Sequence, residues 1–220
     1  MGKKNISQEK IIQAFISSAF GKSAGATSLS DISEILEIKK ASLYNHFQSR
    51  DAMYDATLEF CAQEISRSSF LQENSLELIK SPKCTVSSFF KKHITHFFEI
   101  FENAPLFEMY VFVRSEQYFN LTALNIVQSE AEKVCEQIKT ALKTFVDSKK
   151  IKAKTEKELK DLSAQISGIL LQQRDSYLAA RKERLRQNPD SDAGSLFALP
   201  SDDVAIAKVV KMTDFYLKDL

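Results

Sequence analysis

The chain has 220 residues, of which 44% are hydrophobic and 27% charged, and its formal net charge is +1. This composition is that of an ordinary globular protein, and the small net charge shows that the whole chain is not a polycation. Five glycines and four prolines are too few for a strand-rich fold with many turns, so we expect an all-α protein. Since neither a long apolar stretch nor a signal-peptide pattern is found, we expect it in the cytoplasm.

The first two predicted helices follow from apolar spacing and capping residues. Between about Gln8 and Phe20, apolar residues recur at intervals of three and four, which places them on one face of a helix. A glycine-containing stretch ends this helix, and a second, short helix begins at Ser28. Ser28 and Asp31 have the spacing of a capping box, in which each side chain binds the backbone N–H of the other residue.

A third short helix is predicted from Lys40 to Phe47, directly after a turn at Glu37–Lys39. Leu43 and Phe47 lie four residues apart and would hold this helix against the first two. A fourth helix follows, capped by Ser49. Three short helices with a tight turn between the second and third are typical of a helix-turn-helix, whose third helix enters the major groove of DNA.

The apolar spacing in the rest of the chain predicts longer helices, which brings the total to about nine. A break is expected at about 72–82, and a polar linker with two prolines and a glycine at about 187–201. The predicted helices cover about residues 86–101, 106–112, 121–146, 156–186 and 202–220.

The Leu43-Tyr44-x-His46-Phe47 run, followed by Arg50, resembles the DNA-binding region of the tetracycline-repressor family. The resemblance also covers the segments 11–15 and 26–32, about a quarter of the chain, and the remainder is similar in length and helix layout. Two positions depart from the family pattern. Glu37 stands where the family usually has Gly, and Lys39 stands where the cap of the third helix is usually Ser or Thr.

This resemblance implies a domain of residues 1–50 that binds palindromic operator DNA, and a domain of residues 51–220 for ligand binding and dimerisation. It implies a homodimeric regulator, in most cases a repressor, that a small apolar or aromatic effector releases or resets. Phosphate contacts are implied for Tyr44, His46 and Arg50, and the other expected DNA contacts are Thr27, Ser28, Lys39, Lys40, Ala41, Ser42 and Asn45.

The C-terminal part contains two further groups of candidate residues. An aromatic-rich segment suggests an apolar ligand pocket, with plain core as the competing interpretation for each of its members. The pocket candidates are Phe90, His93, Phe97, Phe101, Phe107, Tyr110, Phe112 and Phe119. Apolar stripes on the last two long helices suggest a dimer interface, with packing inside one chain as the alternative. The interface candidates are Ile166, Leu170, Tyr177, Ile206, Val209, Val210, Thr213, Tyr216 and Leu217.

Other functions have weaker support in the sequence. His93 and His96 could share a metal, but no carboxylate or thiol lies at a convincing spacing, so we assign neither a metal nor a cofactor. The three separated cysteines form no metal-site pattern. No nucleophile elbow, zinc-protease motif or phosphate-binding loop is found, so we do not expect an enzyme. A helical enzyme, or a ligand-binding or adaptor protein that does not bind DNA, remains the alternative.

Overall fold

The computed structural model describes residues 6–188 and 199–218, and these residues form nine α-helices and one 3₁₀ helix with no strand. The all-α prediction is confirmed. None of the described helices is both long and apolar enough to span a membrane. The α-helices are α1 Gln8–Lys22, α2 Leu29–Ile35, α3 Arg50–Arg67, α4 Ser75–Ile79, α5 Val86–Glu99, α6 Leu106–Glu116, α7 Leu121–Asp147, α8 Glu156–Gln187 and α9 Asp203–Leu217, and the 3₁₀ helix is Lys40–Asn45.

The structure differs from the predicted elements at three places. The third helix is a 3₁₀ helix, and α4 lies inside the segment 72–82 that was predicted as a break. Helix α6 continues to Glu116, beyond its predicted end at residue 112. Ten residues of the predicted linker, 189–198, lie outside the described part of the chain.

The helices divide into two compact units, and the first combines the chain up to Arg67 with Ala104–Gln128. Its core lies between α1, α3 and α6, where Phe15 packs against the rings of Tyr54 and Phe112 at centroid distances of 6.2 and 6.1 Å. Burying an aromatic side chain of this size stabilises the fold by roughly 1.5–3 kcal/mol. The unit is therefore built from segments distant in sequence, and the functional boundary expected after residue 50 stays a prediction.

Polar contacts add to this apolar core at the surface of the first unit. Ser17 donates to Glu108 Oε2 at 2.9 Å, and the Tyr54 hydroxyl donates to Glu116 Oε2 at 2.8 Å. Burial and the neighbouring Glu116 carboxylate raise the pKa of Tyr54. Both bonds reach α6, one from α1 and one from α3, so they fix α6 relative to the N-terminal helices.

The second unit comprises Ser68–Asn103 and the chain from Ser129 onwards. Its core contains a group of buried rings from α5 and the turn after it, from α7 and from the segment before α4. We call this group the aromatic cluster, and its members are Phe70, Phe89, Phe90, His93, Phe97, Phe101 and Phe145. Beside it, the fully buried Arg174 guanidinium forms two 2.8 Å bonds to the Glu130 carboxylate. The same guanidinium lies 4.5 Å from the Phe97 ring centre and 4.3 Å from that of Phe101.

A second polar network of this unit holds the start of α9. The buried Glu102 carboxylate accepts hydrogen bonds from Tyr177 and Ser201. Arg181 donates to the backbone oxygens of Glu102, Leu199 and Pro200 at 2.8, 2.8 and 3.0 Å. Burial raises the pKa of Tyr177 to about 12. The chain that enters α9 is thus fixed to α8 and to the end of α5.

Candidate nucleic-acid interface

Helix α2 begins and ends with the local contacts that its residue types favour. Ser28 Oγ accepts from Asp31 N at 3.3 Å, and Asp31 Oδ2 accepts from Ser28 N at 2.7 Å, which confirms the predicted capping box. Lys22 Nζ lies 2.6 Å from Asp31 Oδ2. The hydrogen bonds from Lys22 and Ser28 lower the pKa of Asp31 to about 2, so the capping carboxylate is ionised at neutral pH.

The turn after α2 keeps a left-handed geometry although it lacks glycine. Glu37 has φ 54°, and the N–H groups of Glu37 and Ile38 donate to the carbonyls of Glu34 and Ser33 at 3.0 and 2.9 Å. These two bonds form a Schellman motif, in which Gly is the usual residue at the left-handed position. The departure from the family pattern at Glu37 therefore changes the residue but preserves the turn.

We expect Glu37→Gly to raise the free energy of unfolding by about 0.5–1 kcal/mol, because it removes the Cβ crowding of a left-handed residue. Glu34→Gly is the matched control. Glu34 is an exposed residue of α2, so glycine there should destabilise the protein by a similar amount. Urea unfolding of both variants measures the difference. A Glu37→Gly protein as destabilised as Glu34→Gly would contradict the strain argument.

The 3₁₀ helix has one buried and one exposed face. Leu43 is fully buried in the core of the first unit, and Phe47 directly after the helix is 8% exposed. Ser42 and His46 are half-buried, and Gln8 Nε2 donates to the His46 carbonyl at 3.0 Å, which fixes the helix to the start of α1. Of the predicted contact residues in this helix and directly beside it, the exposed ones are Lys39, Lys40, Ala41, Tyr44 and Asn45.

Lys39 precedes the 3₁₀ helix without capping it through its side chain. This is the consequence expected where Lys replaces Ser or Thr, because an ammonium group has no acceptor for a backbone N–H. Two adjacent, exposed lysines therefore stand at the start of the helix. Together with the Tyr44 hydroxyl and the Asn45 amide, they give the face a positive charge and several hydrogen-bonding groups, which is the chemistry that phosphates and base edges require.

Two residues expected to bind DNA have other partners in the structure. Thr27 is buried, and its hydroxyl donates to the Ser23 carbonyl at 2.8 Å. Arg50 Nε donates to the Thr27 carbonyl at 2.8 Å, and a second guanidinium nitrogen donates to the Ala24 carbonyl. The guanidinium also lies 5.6 Å from the Phe15 ring centre. These residues hold the loop before α2 in place, whereas Ser28 is exposed as expected.

The predicted pocket residues are divided between the two units. Phe90, His93, Phe97 and Phe101 belong to the aromatic cluster of the second unit, whereas Phe107, Tyr110 and Phe112 are buried in the first unit. Phe119 is 86% exposed. That these residues line a pocket stays a prediction. Among the described residues, no three His, Cys, Asp or Glu side chains lie close enough to hold a metal.

Eight of the nine predicted interface residues are buried inside the single chain, and Tyr216 is half-buried. In the structure α9 packs against α5 and α8 of the same chain. The burial of these residues therefore agrees with packing inside one chain, the alternative that the sequence left open. The sequence analysis did not select the opposite face of α9, where Val204, Met212 and Phe215 are exposed. Their spacing of eight and three residues was the available signal, since it puts them on one face of a helix.

Comparison with known proteins agrees with this geometry. Residues 18–57 match the family described as bacterial regulatory proteins, tetR family. The biofilm operon icaADBC HTH-type negative transcriptional regulator IcaR of Staphylococcus aureus is 33% identical over 67 residues, which is 30% of this chain. The match spans about a third of the length of these curated relatives, 36%.

Solved structures of regulators have the same fold over nearly the whole chain. A TetR transcriptional regulator from Legionella pneumophila has a TM-score of 0.56 at 18% identity, covering 98% of this chain and 100% of its own. A TetR transcription regulator from Haloarcula marismortui has a TM-score of 0.58 at 11% identity, covering 96% of each chain. Residues 18–57 thus match the tetR family of bacterial regulatory proteins, and the described helices have the fold of solved TetR regulators.

Proposed function

We propose that this transcriptional regulator binds operator DNA through the exposed face of its 3₁₀ helix. The single observation that carries the proposal is that the residues of this helix differ in burial. Leu43 lies inside the core, whereas Lys40, Tyr44 and Asn45 are exposed. A helix used only for packing would have no need of an outer face with two adjacent lysines and an amide. A major groove about 12 Å wide accommodates such a helix.

Each exposed side chain has a role that its chemistry suits. The Asn45 amide can pair with the donor and acceptor of adenine, and Lys40 with the two acceptors of guanine. Lys39 and the Tyr44 hydroxyl are suited to phosphate oxygens. Arg50 and Thr27 contribute indirectly, because their hydrogen bonds hold the loop that positions α2.

We propose further that the regulator acts as a homodimer on a palindromic site. Val204, Met212 and Phe215 form an exposed apolar face of α9, and Lys218 Nζ of the same helix end lies 4.8 Å from the Phe215 ring centre. Gly168 on α8 is also exposed, with open space where a Cβ would lie, so another helix can approach closely there. A second copy covers apolar surface of this kind, and the resulting two-fold symmetry matches half-sites about 34–36 Å apart.

Response to a small effector is the third part of the proposal. The aromatic cluster of the second unit supplies apolar surface with one imidazole as a polar group, which suits a small aromatic molecule. Effector binding would shift the protein between states of different affinity for DNA. The similarity to a negative regulator, IcaR, favours repression, which the protein would carry out in the cytoplasm, where bacterial DNA is found.

Selection of DNA by the full-length protein from a random-sequence duplex pool tests the first part of the proposal. We expect an enriched palindrome and binding that weakens steeply with salt. An adaptor or enzyme would enrich no sequence, and that result would reject the DNA-binding function.

Phe215→Asp tests the dimer, because it puts a charge into the apolar face of α9. Sedimentation of the wild-type protein should show a dimer, and the variant should dissociate at least tenfold more readily, since an unpaired charge is costly to bury. Phe119→Asp is the control, since Phe119 is even more exposed but lies on the loop before α7. A monomeric wild-type protein, or equal weakening in both variants, would reject this interface.

A further inference from the structure

His93 lies inside the aromatic cluster and has no solvent-exposed surface. The imidazole is 4.1 Å from the Phe89 ring centre and 5.9 Å from that of Phe70. Phe70 in turn contacts Phe90 and Phe97 at 6.1 and 5.7 Å. An imidazole is more polar than these neighbours, so each of its two ring nitrogens requires a hydrogen-bond partner or an explanation for lacking one.

The hydrogen bonds of His93 determine which nitrogen carries the proton. Nδ1 lies 2.8 Å from the Phe89 carbonyl oxygen. A carbonyl oxygen can only accept, so Nδ1 must be the protonated nitrogen that donates to it. Burial lowers the pKa of His93, which favours the neutral ring at physiological pH. Nε2 is then left with an unprotonated lone pair, and it can only accept a hydrogen bond.

Nε2 is buried and has no hydrogen-bond partner among the residues that the structure describes. Phenylalanine rings offer no O–H or N–H group, so the surrounding cluster cannot supply the missing donor. A buried acceptor without a donor costs about 1–3 kcal/mol. Such a group in a native protein requires an explanation, and a bound molecule that supplies the donor is one.

The charge near the cluster indicates what kind of molecule this is. Arg174, a cation over the rings of Phe97 and Phe101, is matched by the Glu130 carboxylate through two hydrogen bonds of 2.8 Å. An anionic ligand would have to compete with Glu130 for that guanidinium, and a cationic ligand would face the uncharged His93. The surroundings therefore favour an uncharged molecule with an apolar ring and one donor.

We propose that His93 Nε2 accepts a hydrogen bond from the O–H or N–H group of an uncharged, ring-containing effector. The inference rests on the proposed effector response and adds the chemical class of the effector and the residue that selects it. The Phe rings supply apolar and edge-to-face contacts, and such contacts can be made to many kinds of ring. His93 then distinguishes rings that carry a donor from pure hydrocarbons, because only the former satisfy Nε2.

Phenol and toluene are matched probes, since they share one ring and differ in a hydroxyl against a methyl group. We expect the full-length wild-type protein to bind phenol about tenfold more tightly than toluene in calorimetric titrations, the ratio that one hydrogen bond to a buried acceptor supplies. Phenol should also shift the ¹⁵N resonance of His93 Nε2. This comparison requires no variant, so it holds even if substitutions in the cluster impair folding.

His93→Phe keeps a ring of similar size and removes the acceptor, so the preference for phenol should disappear. His96→Phe is the control, because His96 is a half-buried residue on the same helix, outside the aromatic cluster. Equal affinity for phenol and toluene in the wild-type protein would overturn the proposal. So would a preference that survives His93→Phe, or an Nε2 resonance that phenol leaves unchanged, as expected if only a water molecule occupies the site.

The test is independent of the proposed regulation. A phenol preference that depends on His93, together with unchanged affinity for the selected DNA, supports the acceptor and rejects its role as an effector switch. Sequence-specific DNA binding without any phenol preference supports the regulator and rejects the acceptor.

Discussion

The double variant Lys39→Ala, Lys40→Ala should bind its selected DNA about a hundredfold more weakly than the wild-type protein. Both lysines are exposed, Lys39 directly before the 3₁₀ helix and Lys40 as its first residue. A dimer would lose four positive charges at the DNA, and each lost phosphate contact removes one released counterion. A plot of log affinity against log salt should therefore become shallower by about 0.9 for each lysine that contacts a phosphate.

The matched control is Lys152→Ala, Lys157→Ala, which removes the same charge from two exposed lysines of the second unit. These positions lie in the turn before α8 and in its first turn. Fluorescence anisotropy at four or more salt concentrations measures both double variants. If the two double variants weaken DNA binding equally, the effect comes from net charge alone. The 3₁₀ helix is then not the element that contacts the DNA.

Arg174→Met should destabilise the protein by roughly 3–5 kcal/mol, which for a domain of ordinary stability is a large share of the total. The substitution leaves the Glu130 carboxylate buried without its two 2.8 Å hydrogen bonds. It also removes the guanidinium that lies over the rings of Phe97 and Phe101. Urea unfolding followed by circular dichroism measures the loss.

Arg186→Met provides an unusually close control on the same helix. Arg186 forms the same two-bond contact with Glu183, at 2.8 and 2.7 Å, but its side chain is 71% exposed. An exposed pair of this kind contributes about 0–1 kcal/mol. Similar losses in Arg174→Met and Arg186→Met would show that burial does not determine the strength of these pairs.

The sequence predicted best those features that depend on neighbouring residues. The Ser28–Asp31 capping box requires two side chains three positions apart, and both hydrogen bonds are present. The burial of Leu43 followed in the same way from its place on a short helix. Such contacts depend on the spacing of nearby residues, so a single sequence is enough to find them.

Contacts between distant residues could not be predicted in this way. The guanidinium of Arg50 binds carbonyls 23 and 26 positions earlier, and a backbone carbonyl has no sequence pattern. Arg174 and Glu130 are 44 positions apart. For the stripe of α9, the sequence could not tell whether its apolar residues meet their own chain or a partner, because both need the same residue types.

The core around Phe15 determines how the DNA-reading part could be isolated. Helices α1 and α3 bury their apolar faces against Met109, Phe112 and Val113 of α6, which follow about forty positions after Arg67. A fragment that stops at Arg67 would therefore expose the rings of Phe15 and Tyr54 to water and lose the Tyr54–Glu116 bond. Proteolysis should accordingly release no stable headpiece of that length, and a miniature DNA binder made from this chain would need α6 grafted onto its end.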